Sequence, residues 1–354
     1  MNPVAIALVG TGAMAAACLE RIRRCPDTEL VARVGAEPEL ASPEVSLYAN
    51  LEECLADPAV EAVVLAVSGE QQLAMALLCV AAGKALLLEK PGYLDLQDAA
   101  ILEHALQVRA VPCLPGYYRL HSPVYQVARK TLGNGLLGRV ASVQGQWRFF
   151  APSDFHRAAE WRTARFPLPL ADHLAHEIAC LRYLLGEVTE VRTLQAQDQH
   201  SGSRCICLRF ESGVLGTLML SDLDGNGDDS PCYQDEDLCV ITGSEGSLSL
   251  PDMTLRRYGL RQSGEDWSPF TSSQLDVKRR DPLMEQLRHF CRVVRGEQEA
   301  MLDMAWAIRN LRVVEALLVA CRTGEPEPVA SQRNKGEMLN WLRSTAAPMA
   351  AVSW

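Results

Sequence analysis

The sequence predicts an α/β protein: an N-terminal doubly wound parallel sheet, followed by an α+β region with a large, open, mostly antiparallel sheet. Three observations predict it. From residue 4 to about residue 118, short β-branched runs alternate with helical runs. The strands of that stretch are continuously apolar, which suits a parallel sheet covered on both faces. Beyond residue 120 the strands are joined by hairpin-type turns, Glu211-Ser212-Gly213 and Ser244-Glu245-Gly246, before two long helices end the pattern.

Taken in order, residues 4–9 read as a strand and 12–24 as a helix stopped by Cys25-Pro26. Residues 30–34 form a second strand, 51–56 a short helix and 62–67 (AVVLAV) a buried strand. A helix over 70–82 ends at Gly83; a strand at 85–88, a helix at 94–108 and a strand at 111–114 follow. Downstream, 122–132 and 171–185 read as helices, and 139–150, 188–197, 204–210, 214–221, 238–242 and 247–250 as strands. The acidic, turn-rich run 222–236 reads as a loop, and 283–295 and 301–322 as the final helices. The division expected is 1–120 and 121–354, two units being the ordinary expectation for 354 residues.

Hydrophobic residues make up 48% of the chain and charged residues 22%, the balance of a globular protein with a core. The formal net charge of −10 argues against nucleic acid or an anionic membrane as the main partner. The N-terminus lacks a basic region, and no run is long and apolar enough to span a bilayer, so a cytoplasmic protein is expected. Of twelve cysteines, Cys18, Cys54, Cys79, Cys180, Cys239, Cys291 and Cys321 lie in apolar runs, and no CxxC pair occurs. Cys205 and Cys207 alternate along a strand and share a face. Buried, reduced thiols are expected, not a disulfide frame or a zinc site.

Gly10-Thr11-Gly12-Ala13-Met14-Ala15 follows the first strand and opens a helix, the G-x-G-x-x-A turn of a dinucleotide-binding Rossmann unit. Gly10 permits the turn, Gly12 lets backbone approach a pyrophosphate, and Ala15 lets helix pack on strand. The helix N-terminus offers unpaired N–H groups and a positive dipole end to the phosphates. Where a carboxylate would bind the adenosine ribose, the chain has Gly35, with Glu37 two residues on. Losing that carboxylate leans the expected cofactor, NAD or NADP, towards NADP. No Arg or Lys follows to clamp a 2′-phosphate, and Glu37 can still reach a ribose.

Ala81-Ala82-Gly83-Lys84-Ala85-Leu86-Leu87-Leu88-Glu89-Lys90-Pro91 resembles the AGKHVLxEKP segment of the Gfo/Idh/MocA family, the glucose–fructose oxidoreductase and inositol dehydrogenase group. Gly116-Tyr117-Tyr118-Arg119 through Pro123, Asp172-His173-Leu174-Ala175-His176 with Leu181 to Gly186, and Gly243 to Leu248 resemble further segments in the same order. The resemblance implies a hydride-transferring enzyme acting on a sugar, cyclitol or related polyol or ketone. It implies Lys90 as the cation that polarises the substrate oxygen and His176 as acid/base. Asp172, one helical turn earlier, orients the imidazole or binds a substrate hydroxyl.

Cofactor contacts are expected from Gly10, Thr11, Gly12, Ala13, Met14, Gly35, Glu37, Val67, Ser68, Gln72, Glu89, Lys90, Pro91 and Arg119. Substrate contacts are expected from Lys90, Tyr118, Arg148, Trp161, Arg162, Asp172 and His176, with His156 nearby. The resemblance also implies a homodimer or homotetramer through the open sheet. His173, His176 and Glu177 share a helix, but the HExxH spacing is absent, so no metal is expected. The family's glycines before the Asp172 helix are replaced by Phe166-Pro167-Leu168-Pro169, the acid three residues after the histidine by Ala179, and the Pro and His after the fourth strand by Ser68 and Gln72. These departures surround the substrate rather than the scaffold and point to an unusual substrate. Two other outcomes stay open: transient oxidation by tightly held NAD without net redox, and a non-catalytic dinucleotide-binding regulator.

Overall fold

The structure is a computed structural model that describes residues 2–35, 44–67, 71–90, 95–152, 169–195, 203–225, 238–258 and 271–329, with backbone alone at 148–152, 169–173 and 221–225. Its first half alternates as expected: β1 (Val4–Val9), α1 (Ala13–Arg24), β2 (Thr28–Val34), β3 (Ser46–Tyr48), α2 (Leu51–Ala56), β4 (Ala62–Leu65), α3 (Gln71–Ala81), β5 (Ala85–Glu89), α4 (Leu96–Arg109) and β6 (Cys113–Gly116). The six strands form one parallel sheet in the order β3-β2-β1-β4-β5-β6. The order reverses between β1 and β4, and in such sheets ligands bind beyond the strand ends at that reversal. β4 ends two residues before the expected boundary. There the Ala66 N–H donates to the Val9 carbonyl at 2.9 Å, drawing the chain across the end of β1 and forming one wall of the crevice.

A 3₁₀ turn (Tyr118–His121) leads into α5 (Pro123–Gly133) and β7 (Val140–Pro152). Then come α6 (Pro169–Leu185), β8 (Val188–Gln195), β9 (Arg204–Phe210), β10 (Leu215–Gly225), β11 (Leu238–Gly243), β12 (Gly246–Leu250), β13 (Thr254–Arg257), β14 (Thr271–Gln274), α7 (Pro282–Val294), α8 (Met304–Thr323) and β15 (Glu327–Pro328). Nine strands form the second sheet, in the order β14-β13-β12-β11-β7-β10-β9-β8-β15; every pair is antiparallel except β7 with β10. That parallel pairing corrects the expected loop: β10 continues through Asp222 and Asp224 to Gly225, opposite Phe149 to Pro152 of β7. Partner strands outweigh an acidic, turn-prone composition. The rest of the expected loop, 226–236, lies outside the described residues. β3, β13, β14 and β15 are short, β14 exposed throughout and the others only partly buried, and they exist because a neighbouring strand offers its edge.

Helices reach both sheets. On one face of the parallel sheet, Val63, Leu65, Leu86 and Leu88 pack with Ala179, Cys180 and Tyr183 of α6 and Met304, Ile308 and Leu311 of α8. On the other, Ile6 and Leu8 pack with Ile22 of α1 and with Leu287 and Phe290 of α7. The opposite sides of α6 (Leu174, Ile178, Leu181) and α8 (Val313, Leu317, Ala320) cover the inner face of the second sheet. Each fully buried leucine or phenylalanine there contributes roughly 1.5–3 kcal/mol of transfer free energy. The two sheets are therefore locked through shared helices, and α6, which carries the candidate histidine, is clamped from both sides.

Candidate functional site

The loop after β1 is built around two glycines with different jobs. Gly10 has φ +124°, and a Cβ there would meet the Ala66 carbonyl oxygen at 2.2 Å, so only glycine lets β1 and β4 leave the sheet together. Gly12 has ordinary dihedrals (φ −74°, ψ 179°), and nothing lies within 4 Å of where its Cβ would stand. The protein does not need that space, whereas a diphosphate lying on the backbone does. Ala15, 2% exposed, packs beneath.

Capping makes the same point. Wherever the N-cap of another α-helix is described, a side chain satisfies its first turn: Asn50 for α2, Asp95 for α4, Ser122 for α5, Asp281 for α7 and Asp303 for α8. At α1 the N-cap is Gly12, no side chain caps it, and the first turn holds no acid. Its leading N–H groups, with exposed Thr11 and Ala13 and half-buried Met14, are left for an anion. Gly35 (φ +77°) stands at the end of β2, where its missing side chain would sit 3.7 Å from the Thr11 methyl. A dinucleotide fits this cradle.

Beyond β4 in the same sheet, Glu89 ends β5 and Lys90 follows it, only 9% and 7% exposed. The neighbouring strand holds them: Glu89 is in register with Gly116, where a Cβ would come within 2.9 Å of the Lys90 nitrogen. The Lys90 N–H also donates to Glu89 Oε2 at 3.3 Å. Gln72, fully buried on α3, donates from Nε2 to the Glu89 carbonyl at 3.1 Å. Val67 is half-buried at the end of the segment leaving β4.

From Gly116 the chain runs into Tyr117 and Tyr118, and these carry the connection to α6. The Tyr118 ring meets the His176 ring edge-on at 5.0 Å, and Tyr117 does so at 6.2 Å. His176 is 8% exposed. The segment that pins Lys90 thus continues directly into the aromatic wall of His176. Asp172 lies in α6 one turn before His176.

Behind this wall is a polar network that the sequence reading missed. Tyr117, fully buried, packs on Trp306 at 5.4 Å and accepts a hydrogen bond from Asn310 Nδ2 at 3.4 Å. Asn310 also donates to the Ala175 carbonyl, 2.8 Å away, beside His176. Asn310 Oδ1 accepts from Arg182, which pairs with Glu187 at 2.7 Å and stacks on Trp306. A polar residue in the apolar run of α8 and an arginine in LRYLL were the only sequence signals. Arg119, expected at the cofactor, is ion-paired with buried Glu177. That pairing engages the Glu177 of the His173–His176–Glu177 metal reading, and the described residues hold no cluster of three metal-ligating side chains.

Glu37, Ser68, Pro91, His156, Trp161 and Arg162 lie outside the described residues, as do the side chains of Arg148, Asp172 and His173. The described cysteines are unpaired thiols; Cys113, Cys205, Cys207 and Cys321 are only half-buried, correcting the expectation of burial. Burial pushes the thiols of Cys18, Cys79, Cys239 and Cys291 up to about 12, so they are neutral and unreactive. No described helix is long and apolar enough to cross a membrane.

Residues 4–117 match the family model described as an oxidoreductase family with an NAD-binding Rossmann fold, and residues 125–249 match that of the GFO/IDH/MocA C-terminal domain. The chain belongs to the Gfo/Idh/MocA family of oxidoreductases. It is 29% identical to an oxidoreductase of Synechocystis sp. over 276 residues, 72% of this chain and 73% of that one. It is 23% identical to the scyllo-inositol 2-dehydrogenase (NAD(+)) of Bacillus subtilis, covering 77% and 79% of the two chains. Its fold matches an NAD binding oxidoreductase from Klebsiella pneumoniae with a TM-score of 0.75 at 18% identity, covering 94% of this chain and 100% of that one.

Proposed function

We propose that this Gfo/Idh/MocA protein is an NAD(P)-dependent dehydrogenase or reductase acting on a CH–OH group of a sugar, cyclitol or related polyol, or on the corresponding ketone. The observation that carries the proposal is the α1 start, open over Gly12 and the only α-helix N-cap among the described residues without a capping side chain; in this reading it faces a crevice whose other side presents Lys90 and, through Tyr117 and Tyr118, His176. The inositol dehydrogenase relative supports the substrate class. Bound at this cradle, the nicotinamide supplies or accepts the hydride.

The protein's own groups do the rest. The Lys90 ammonium, nearly buried, polarises the substrate oxygen and stabilises the negative charge that develops on it. His176 takes the hydroxyl proton on oxidation and returns it on reduction. Tyr118 and Tyr117 hold its ring, and Asp172 orients it or binds a neighbouring hydroxyl. In this reading residues 1–120 hold the nucleotide and 121–354 hold substrate and partner subunit.

NADP is the favoured cofactor. Gly35 removes the carboxylate that would repel a 2′-phosphate. Arg33, on the same face of β2, brings a buried guanidinium whose Nε and one Nη have no hydrogen-bond partner among the described residues. Assembly is proposed through the open face of the nine-stranded sheet. Leu194, Cys205, Met219, Gln146 and Leu238 form one row across five strands there, and Leu194, Met219 and Leu238 are 73%, 44% and 46% exposed. Met219→Arg is expected to yield monomers by light scattering.

The deciding experiment assays a panel of sugars, cyclitols and keto compounds with NAD and NADP at 340 nm. Redox turnover is expected with at least one, and none in Lys90→Ala. Product formed without net cofactor turnover would favour transient oxidation. Full biological activity in Lys90→Ala and His176→Ala would overturn the catalytic reading.

A further inference from the structure

β5 ends on a peptide unit, Glu89–Lys90, that its own sheet does not finish holding. Alternate residues of β5 turn to alternate neighbours. The Ala85 N–H donates to the Glu61 carbonyl on the β4 side at 3.3 Å, and the Leu86 N–H to the Pro112 carbonyl on the β6 side at 2.9 Å. That alternation turns Leu87 and Glu89, like Ala85, towards β4. The register of β4 with β5, however, stops at Leu65 opposite Leu88. The Glu89 carbonyl is therefore the first acceptor of β5 for which β4 has no residue left to offer. Gln72 takes that place. It stands in the first turn of α3, is fully buried, and donates from Nε2 to the Glu89 carbonyl at 3.1 Å.

The other side of the same peptide is held as well. The Lys90 N–H donates to Glu89 Oε2 at 3.3 Å, and a Cβ on Gly116 of β6 would come within 2.9 Å of the Lys90 nitrogen. A peptide unit is rigid and planar, so holding its oxygen and its N–H fixes the plane. The direction in which the Lys90 side chain leaves the backbone is fixed with it. Gln72 does this against the interest of folding: its Oε1 is buried with no hydrogen-bond partner among the described residues. A buried acceptor in that state has lost its water and gained nothing in exchange. Asn310, equally buried, uses both ends of its amide, on Ala175, Tyr117 and Arg182. A carboxamide that serves the fold alone looks like Asn310. Gln72 leaves half of its amide idle and commits the other half to the one carbonyl that precedes Lys90.

We propose that Gln72 is a positioning residue rather than a cofactor contact: by closing the open end of β5 it aims the Lys90 ammonium at the substrate oxygen. The inference rests on the role given to Lys90 above. It adds that the aim of the lysine, and not only its charge, is set from α3. Aim matters at this point because a displacement of about 1 Å at a reacting group can cost about 10²-fold in rate.

Gln72→Met tests this in the full chain. It keeps the length and bulk of the side chain. It also trades one unmet buried acceptor, Oε1, for another, the Glu89 carbonyl, so the urea midpoint is expected to stay close to that of the wild type. With the compound of the sugar, cyclitol and keto panel that turns over, kcat is expected to fall about tenfold or more. NADPH or NADH affinity, read by fluorescence titration, is expected to stay within about twofold. Gln72→His brings a ring N–H to the same carbonyl and is expected to recover most of the lost kcat. The deciding readout is a double-mutant cycle with Lys90→Met. With the lysine gone there is nothing to aim, so Gln72→Met is expected to change kcat by less than about twofold in that background. If Gln72→Met does not fold, Gln72→Leu takes its place in the cycle. Full kcat in Gln72→Met, or an equal fold-loss with and without Lys90, overturns the proposal and leaves the role of Lys90 standing. No turnover of any panel compound by the wild type, or full kcat in Lys90→Met, overturns the reading of the site itself, and the inference falls with it.

Discussion

Gly10 and Gly12 stand two residues apart in one loop, yet replacing each with alanine should do opposite things. At Gly12 a methyl group meets no protein atom within 4 Å and φ is −74°, so the folded chain accepts it. The folding cost is confined to exchanging glycine for alanine at an N-cap, about 1 kcal/mol at most. The methyl instead occupies the space reserved for the diphosphate. Affinity for NADPH or NADH should fall at least tenfold, about 1.4 kcal/mol. At Gly10, alanine must adopt φ +124°, worth about 1–3 kcal/mol of backbone strain, and its Cβ would lie 2.2 Å from the Ala66 carbonyl oxygen. Relieving that overlap moves backbone by roughly 1 Å in a packed core, bringing the total loss to about 3–5 kcal/mol. Nucleotide fluorescence titration and urea unfolding of both variants separate the effects. Normal nucleotide affinity in Gly12→Ala, or a stability loss there matching that of Gly10→Ala, would refute the assignment of the open space to a ligand.

Lys90→Met keeps the buried stem and removes the charge; kcat should fall about 10²–10³-fold, with a much smaller loss of nucleotide affinity, as read by steady-state kinetics and nucleotide titration. His176→Gln should cost about 10²–10⁴-fold in kcat and remove one limb of the pH–rate profile. Asn310→Leu removes buried hydrogen bonds to the Tyr117 hydroxyl, the Ala175 carbonyl and the Arg182 guanidinium, so urea unfolding should show about 2–4 kcal/mol of lost stability. His121 is buried, its Nε2 lacks a partner among the described residues, and desolvation followed by the nearby His289 and Arg292 charges lowers its pKa to about 3. The unfolded chain takes up that proton first, near pH 6.5, so stability is full above that value and falls as pH drops towards 3. Between pH 7 and pH 4.5 this group should remove about 2–3 kcal/mol, and His121→Phe should flatten that part of the urea-derived profile.

Much of this protein is legible in its residues alone. Uninterrupted apolar runs such as AVVLAV require a sheet buried on both faces, and a G-x-G-x-x-A turn between strand and helix requires backbone close to a ligand; both signals are local, so no partner is needed to read them. Lys90 and His176 were singled out as candidates the same way, through short segments whose order and spacing resemble a family's. What could not be read depends on meetings between distant parts of the chain. β10 continues through Asp222 and Asp224 because β7 runs parallel beside it, against the local composition. Arg119 faces Glu177 rather than standing alone, and Asn310 joins Tyr117 to Arg182 from 193 and 128 residues away. A cavity beside Tyr118 is walled by segments as far apart as Tyr118 and Arg280. Period and turn chemistry are properties of a few consecutive residues, whereas ion pairs, buried networks and cavities are properties of the packed chain, and only folding brings their members within reach of one another.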